Sequence, residues 1–159
     1  MHPTITLTWR EVQHAALDGA IRYVNVLQNG WTDRRAQCGL WLRWGTNIEG
    51  AAGEIALAQF IGANWAGMRE HGAPDVGDGL QIRTVDHPDK RLTVYGDASD
   101  ADAYVLVEGA APTYTLVGWL YAHEAKRACW LERLKPESSP AYFVPRGALR
   151  SVEDLVLKI

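Results

Sequence analysis

The first periodic pattern in the chain is helical. Thr8 and Glu11 have the three-residue spacing of a capping box. After them, apolar residues recur every three or four positions until Asn29 and Gly30 interrupt the pattern. The spacing predicts a helix over residues 9–28.

A second helical pattern follows in the stretch TNIEGAAGEIALAQFIG, where Asn47 can cap a helix and Gly62 can end it. In this pattern Glu54 lies three residues from Ala51 and four from Ala58, on the same apolar stripe. An unpaired charge is costly to bury, so Glu54 needs an arginine, backbone donors, a metal ion or an opening to solvent. The alternative is a helix edge at the surface, where the acid simply reaches water.

Beyond Gly72 the period changes from helical to alternating. The runs LQIRTV, RLTVYG, AYVLVEG and YTLVGWLYA are separated by turns rich in Gly, Pro and Asp, and they predict a mainly antiparallel or mixed sheet. We then predict a helix for HEAKRACWLERL, a loop for KPESSP, a short strand for AYFVP and a closing helix for SVEDLVLKI, capped by Ser151. Helices followed by a sheet and a final helix define an α+β fold, with the N-terminal helices packed on the sheet.

The turn before the first of these strands, in PDVGDGLQIRTV, brings polar side chains together. A three-residue loop, Gly-Asp-Gly, would pair the residues that flank it and place Asp75 opposite Gln81. Opposite side chains in an antiparallel pair share a face, and the alternation adds Arg83 to that face. Leu80 and Ile82 then point into the core. A bulge or a longer turn would instead rotate Asp75 to the other face, and an ordinary surface hairpin is the alternative.

The composition is that of one globular domain. With 159 residues, 47% hydrophobic and 22% charged, the chain can bury a core of its own. We divide this single domain, residues 1–159, into an N-terminal helix with a Trp/Arg-rich segment, residues 1–46, and a core, residues 47–159. The sequence starts without a basic flank before an apolar run, and no apolar run approaches the roughly 18 residues of a membrane span. These features predict a cytoplasmic protein.

The charge distribution leaves room for a nucleic-acid surface without requiring one. A net charge of −3 argues against a surface that attracts polyanions everywhere, but it allows a local basic groove. The segment GWTDRRAQCGLWLRWG, with Arg34, Arg35 and Arg43, is the best candidate for a surface that faces DNA or a partner. Packing in the core or in an interface is the commoner use of its tryptophans. Cys38 and Cys129 are too few for a zinc site or a disulfide scaffold, and we expect buried free thiols.

Three short motifs in this order resemble the PD-(D/E)XK nuclease superfamily. They are Gly53-Glu54 in a helix rich in small residues, Pro74-Asp75, and the strand segment Gln81-Ile82-Arg83. More narrowly, the chain is similar to a set of phage and prophage nuclease-like proteins with PDVG, a following strand that ends in RT, a GW-containing strand before an AK-containing helix, and AYFVP near the end. This narrower likeness runs from about Glu49 to Leu155.

The resemblance implies a restriction-endonuclease-like core that binds Mg²⁺ or Mn²⁺ and hydrolyses phosphodiester bonds of nucleic acid, DNA in the first place. Asp75 matches the first acid of the motif and Glu54 the acid on the helix. Gln81 takes the position of the second acid, and Arg83 that of the lysine. The backbone carbonyl of Ile82 would complete the metal ligands offered by Glu54, Asp75 and Gln81. Such a cluster suits the chemistry because Mg²⁺ prefers oxygen ligands, lowers the pKa of bound water and neutralises charge on the phosphate.

Two departures from the motif bear on catalysis. Gln81 has a ligating carbonyl oxygen but no negative charge, and Arg83 stays protonated and cannot act as a general base. Lys126 could replace the lysine and add to a nucleic-acid surface, while Asp86 or Glu49 could replace the acid. The second hypothesis is therefore a catalytically inactive nuclease-fold protein that binds nucleic acid or a host protein. Both hypotheses place the protein in the cytoplasm, of the host cell if it is phage-encoded, and both allow a homodimer.

Overall fold

The fold is α+β, as the sequence predicts. The computed structural model describes residues 1–31, 40–67 and 74–156. Its elements in chain order are β1 (Thr4–Thr6), α1 (Trp9–Gln28), α2 (Leu40–Ile61), β2 (Leu80–Val85), β3 (Leu92–Tyr95), β4 (Ala103–Ala110), β5 (Thr113–Tyr121), α3 (Ala122–Ala125), β6 (Leu131–Glu132), β7 (Ala141–Val144) and α4 (Glu153–Val156). One-turn 3₁₀ helices lie at Ala128–Trp130 and Arg146–Ala148.

The strands form two sheets. The larger sheet has the order β1-β5-β4-β2, in which β2 and β4 are parallel and the other pairs antiparallel. The smaller sheet has the order β3-β7-β6 and is antiparallel throughout. The sequence predicts the mainly antiparallel character, but it does not predict that β3 leaves the first sheet to pair with β7. A restriction-endonuclease-like core stays a prediction.

The larger sheet is the middle of three layers. On β4, Val105 and Val107 belong to the core cluster that includes the buried residues of α2. The alternating residues Tyr104 and Leu106 belong to a second cluster, which contains Val94 of β3 and other residues of the smaller sheet. Successive strand residues point to opposite faces, so the helices cover one face of the larger sheet and the smaller sheet covers the other. No helix in the described ranges is long and apolar enough to cross a membrane.

The first helix is confirmed with its cap. The Thr8 side chain accepts from the backbone N–H of Glu11, and the Glu11 carboxylate accepts from the backbone N–H of Thr8 at 2.7 Å. These two reciprocal hydrogen bonds satisfy amide groups that a helix start otherwise leaves without partners. Helix α1 therefore begins and ends where the local spacing predicts.

The second helix begins earlier than predicted. It starts at Leu40, so the predicted cap Asn47 lies inside it, where Asn47 Nδ2 donates to the carbonyl oxygen of Arg43 at 2.8 Å. The prediction of its end is confirmed, because the helix stops at Ile61 and Gly62 takes a positive φ of 70°. The end of the Trp/Arg-rich segment thus lies within helix α2, and this helix crosses the predicted boundary between residues 46 and 47.

The helix predicted for HEAKRACWLERL is wrong beyond its first turn. Helix α3 ends at Ala125, a 3₁₀ turn follows, and Leu131 and Glu132 then pair with β7. Strand pairing of Leu131 with Tyr142 and of Glu132 with Ala141 therefore overrides the local helical spacing. At the C-terminal end, α4 begins at Glu153, and the Ser151 hydroxyl donates to the Glu153 carboxylate instead of capping a backbone N–H.

Candidate functional site at the edge of strand β2

Strand β2 is the last strand of its sheet, and polar side chains bind its outer edge. The N–H and C=O groups of one strand residue point to the same side. At Ile82, the N–H donates to Asp75 Oδ2 at 2.6 Å, and the carbonyl oxygen accepts from Arg83 Nη1 at 2.9 Å. Asp75 and Arg83 therefore satisfy backbone groups at a sheet edge that would otherwise depend on water or on another strand.

The predicted turn before β2 is confirmed. Val76 and Leu80 form an antiparallel bridge around the loop Gly-Asp-Gly, and both glycines have positive φ, 53° at Gly77 and 90° at Gly79. A side chain at either position would be strained, which explains why glycine suits the turn. Asp75 then approaches the strand, since its backbone N–H donates to the carbonyl oxygen of Leu80 at 2.8 Å.

The predicted meeting of Asp75 with Gln81 does not occur. The Asp75 carboxylate turns to the strand edge, whereas Gln81 Nε2 donates to Asp102 Oδ2 at 3.3 Å. The physical reason is the free N–H of Ile82, which offers the carboxylate a short, charge-assisted hydrogen bond. Leu80 and Ile82 do point into the helix-facing core, as predicted.

The residues of β2 divide between the two faces of the sheet. Gln81 and Arg83 lie beside Tyr104 and Leu106 in the parallel register, on the face covered by the smaller sheet, and the Arg83 guanidinium lies 4.9 Å from the centre of the Tyr104 ring. Glu54 belongs to α2, on the opposite face. The prediction that Gln81 and Arg83 share a face is therefore confirmed, whereas Asp75, predicted on that same face, lies at the edge between the two faces.

Glu54 is buried, and its partner is an arginine. The residue is 3% exposed, and both of its carboxylate oxygens accept from Arg22 of α1, with Nη1 to Oε1 at 2.5 Å and Nη2 to Oε2 at 2.7 Å. Trp65 Nε1 donates to Oε2 at 3.0 Å. Of the options open from sequence, the structure therefore selects an arginine, and the alternative of a solvent-exposed acid is wrong.

A second carboxylate, that of Asp18, lies beside Arg22. Arg22 Nε lies 2.6 Å from Asp18 Oδ2, although the N–H direction does not make this contact a hydrogen bond. On the other side, Arg83 Nη1 lies 4.0 Å from Asp75 Oδ2. We refer to Asp18, Arg22, Glu54, Asp75 and Arg83 as the edge cluster.

The edge cluster holds more negative than positive charge when all its groups are ionised. Burial and the nearby charge of Glu54 raise the pKa of Asp75 to about 6, against the opposing effects of the Ile82 N–H, Arg83 and Arg22. Burial alone would lower the pKa of Arg22, but its hydrogen bonds and charge interaction with Glu54 raise that pKa above the ordinary value. Three carboxylates and two guanidinium groups leave one negative charge, which a proton on Asp75 or a bound cation would neutralise.

Part of the predicted metal ligand set is brought together. Asp75 and the Ile82 carbonyl oxygen lie at the same strand edge, and the charge of Glu54 contributes to the raised pKa of Asp75. Gln81 is turned toward Asp102 and does not join them. The described parts of the chain contain no group of three or more His, Cys, Asp or Glu side chains arranged to hold a metal ion. A metal would have to use the remaining lone pairs of these oxygens, because Arg22 already binds both oxygens of Glu54.

Lys126, which could replace the lysine of the nuclease motif, and Glu49 and Asp86, which could replace its second acid, all have other partners. Lys126 Nζ donates to the Ala98 carbonyl oxygen and to Asp100, both at 2.6 Å. Glu49 Oε2 accepts from the hydroxyl of Tyr114 at 2.6 Å. Asp86 pairs with Lys90 on the exposed segment after β2. None of the three is therefore positioned by its contacts for the edge cluster.

The other residues singled out from the sequence are the arginines of the predicted nucleic-acid surface and the two cysteines. Arg43 lies in the first part of α2 and is half-buried. Arg34, Arg35 and Cys38 lie outside the described residues. Cys129 is a free thiol but is exposed, so the prediction that it is buried is wrong.

Sequence reasoning missed Asp18, Arg22 and Trp65. A signal for the first two was present, because Asp18 and Arg22 are four residues apart on a helix and therefore lie side by side. The contact of Arg22 with Glu54 could not be predicted in the same way, since 32 positions separate the two residues. Trp65 follows α2 and carries no local signal that its indole N–H reaches back to Glu54.

Comparison of the chain with protein-family models, with curated proteins and with solved structures gives no significant match. The edge cluster and its placement in the fold are therefore the basis for a functional proposal.

Proposed function

We propose that this chain is a phage-type, nuclease-like protein that hydrolyses phosphodiester bonds of nucleic acid, DNA in the first place, with Mg²⁺ or Mn²⁺ bound at the edge cluster. The observation that carries the proposal is the half-buried carboxylate of Asp75, which lies beside the backbone of Ile82 and whose pKa is raised by its own burial and by the charge of the buried Glu54. A cluster with one uncompensated negative charge favours a cation. Raised pKa values in such clusters are typical of functional sites.

Each residue has a role that its contacts support. Asp75 and Glu54 would supply carboxylate oxygens, and the Ile82 carbonyl would supply a neutral one. When bound, the metal ion would lower the pKa of a water molecule and offset charge on the phosphate. Arg83, already 4.0 Å from Asp75, would place a permanent positive charge near the phosphodiester. Asp75 is ionised above a pH of about 6, so activity should rise through that pH.

The test is cleavage of plasmid, linear and single-stranded DNA, and of RNA, in the presence of Mn²⁺ or Mg²⁺. We expect Asp75→Asn to reduce cleavage at least about 100-fold, because it removes a charged ligand while its amide oxygen can still accept from Ile82. Asp86→Asn is the matched control, since it removes an exposed acid from the segment after the same strand. Cleavage by the wild type that persists undiminished in Asp75→Asn would exclude this site.

A second candidate function is a catalytically inactive nuclease-fold protein that binds nucleic acid or a host protein. The observation that favours it is the Arg22 fork, which binds both oxygens of Glu54 and places a permanent cation within the cluster. Gln81 faces away, and Arg83 cannot act as a base.

Calorimetry separates the two functions. Heat on titrating Mn²⁺ into the wild type, absent in Asp75→Asn, supports the metal-dependent enzyme. If titration of Mn²⁺ into the wild type gives no heat while fluorescence anisotropy still detects DNA binding, the catalytically inactive form is supported. In that case Arg22→Gln should allow Mn²⁺ binding, because it removes the competing guanidinium from Glu54 and leaves a shorter, uncharged polar side chain.

A further inference from the structure

Helix α1 carries two apolar faces, and within residues 1–31, 40–67 and 74–156 only one of them is covered. Ala15, Gly19 and Tyr23 are its buried residues. They pack on α2, since Tyr23 contacts the Trp44 ring at 4.8 Å between centroids. Gly19 lies so close to the backbone of Ile48 that an added Cβ would be 2.5 Å away. This is the face that joins α1 to the rest of the fold.

The opposite face is also apolar, but it is exposed. Leu17 is 64% exposed, Ile21 and Val24 are each 39% exposed, and Leu27 is 53% exposed. At 100° per residue, Leu17, Ile21 and Val24 fall within about 60° of one another and roughly opposite Gly19. A helix that is apolar on both sides is normally covered on both sides. Leu27 lies about 60° from Val24, at the edge of this face. We call Leu17, Ile21, Val24 and Leu27 the α1 stripe.

The α1 stripe is uncharged. Between Ala15 and Gln28 the only charged side chains are Asp18 and Arg22, and both are engaged in the edge cluster. Nucleic acid and anionic membranes are bound through clustered lysines and arginines, which this face does not offer in that range. The chemistry therefore fits another neutral apolar helix.

We propose that the α1 stripe binds the same stripe of a second copy, forming a two-fold symmetric dimer. Leu17, Ile21 and Val24 follow one another by four and three residues, the spacing of a ridge that packs into the groove of a second helix. An antiparallel arrangement with its two-fold axis near Ile21 brings the two Ile21 side chains together. Each Leu17 then lies near the partner's Val24. The surface is thus complementary to itself, as a two-fold interface requires.

The exposed area sets the strength of the dimer. Four half-exposed aliphatic side chains contribute a few hundred Å² per copy, the size at which apolar patches mark interaction sites. A standard interface buries about 800 Å² per partner, so flanking residues must supply the rest. Trp9, 69% exposed at the start of α1, and Leu42, 63% exposed near the start of α2, are further exposed apolar side chains on these two helices. We therefore expect a concentration-dependent dimer in the micromolar range.

The proposed dimer is tested by placing a charged side chain at Ile21, next to the proposed two-fold axis, and measuring the mass of the protein in solution. Light scattering coupled to gel filtration, from about 1 to 200 µM loaded protein, should show the wild type rising toward twice the mass of the chain. Ile21→Glu and Ile21→Lys should each stay monomeric, because two like charges would meet at the axis. An equimolar mixture of the two variants should recover the dimer. Leu134→Glu, at a 61% exposed leucine outside the α1 stripe, is the matched control and should dimerise like the wild type.

Circular dichroism checks that the variants are folded, and Ile21 is exposed enough for both substitutions to be tolerated. A wild type that stays monomeric throughout, a dimer that persists in Ile21→Glu, or a mixture that fails to recover the dimer overturns the proposal. The proposed dimer does not depend on the nuclease function, and the cleavage assay is independent of the mass measurement.

Discussion

Replacement of Arg22 by methionine removes the side chain that holds the edge cluster together. Arg22 donates two hydrogen bonds to the Glu54 carboxylate and lies 2.6 Å from Asp18. Methionine keeps an unbranched stem for packing but offers neither a donor nor a charge. In the described parts of the chain, the Trp65 indole would then be the only remaining donor to Glu54.

The expected loss of stability follows from the burial of Glu54. Removing one partner of a buried ion pair costs about 3–5 kcal/mol, because the other charge remains buried and uncompensated. The Arg22 side chain is 22% exposed, so water screens part of the interaction and the lower end applies, about 3 kcal/mol. For a chain of this size, that loss lowers Tm by roughly 6–12 °C.

Urea unfolding followed by circular dichroism measures the change in the free energy of unfolding. Arg22→Lys keeps the charge but not the two-pronged geometry, and it should lose less than Arg22→Met. Glu54→Gln in the Arg22→Met background removes the uncompensated charge, so the double variant should be more stable than the sum of the single changes implies. A loss below about 1 kcal/mol for Arg22→Met, or purely additive effects, would refute the buried-pair interpretation.

Two further predictions concern Asp75 and the packing of α2. The pKa of Asp75 is raised to about 6 from its ordinary 3.8, so its contribution to stability is complete below pH 3.8 and is lost as pH rises through about 6. The loss of stability is on the order of 3 kcal/mol. It is measured as the change, between pH 4 and pH 7, in the difference in free energy of unfolding between the wild type and Asp75→Asn. If that difference does not depend on pH, the prediction is wrong. At Gly53 an added Cβ would lie 2.1 Å from Thr84 Oγ1, so Gly53→Ala should destabilise the fold by about 1–3 kcal/mol. Gly50→Ala, where nothing lies within 4 Å, should be neutral or stabilising in the same thermal unfolding experiment, and equal effects at both positions would show the packing argument to be wrong.

Elements defined by contacts a few residues apart were predictable from sequence. The capping pair Thr8 and Glu11 places the start of α1, and Gly62 ends α2. The Gly-Asp-Gly loop pairs Val76 with Leu80 because the turn is short enough for its length to set the register. Each of these features depends on backbone geometry within one or two turns of chain.

Predictions failed where a distant segment competes with the local pattern. The helical spacing after Ala125 yields to strand pairing of Leu131 with Tyr142, which lies beyond the next loop. Asp75 was expected beside Gln81, but the free N–H of Ile82 at the sheet edge captures its carboxylate. The first result depends on a strand partner distant in sequence, and the second depends on a sheet edge, which exists only once the strand order is set. Neither can therefore be predicted from local spacing.

The sequence by itself determined the α+β class, the ends of α1, the turn before β2 and the presence of an acid on the apolar stripe of α2. The tertiary structure alone decided which group neutralises that acid, because Arg22 reaches Glu54 across 32 positions of chain. It also decided that Asp75 lies between two faces of a sheet and that one apolar face of α1 is left exposed. Hydrophobic periodicity records which residues avoid water, whereas the identity of a buried charge's partner depends on distances that only the folded chain establishes.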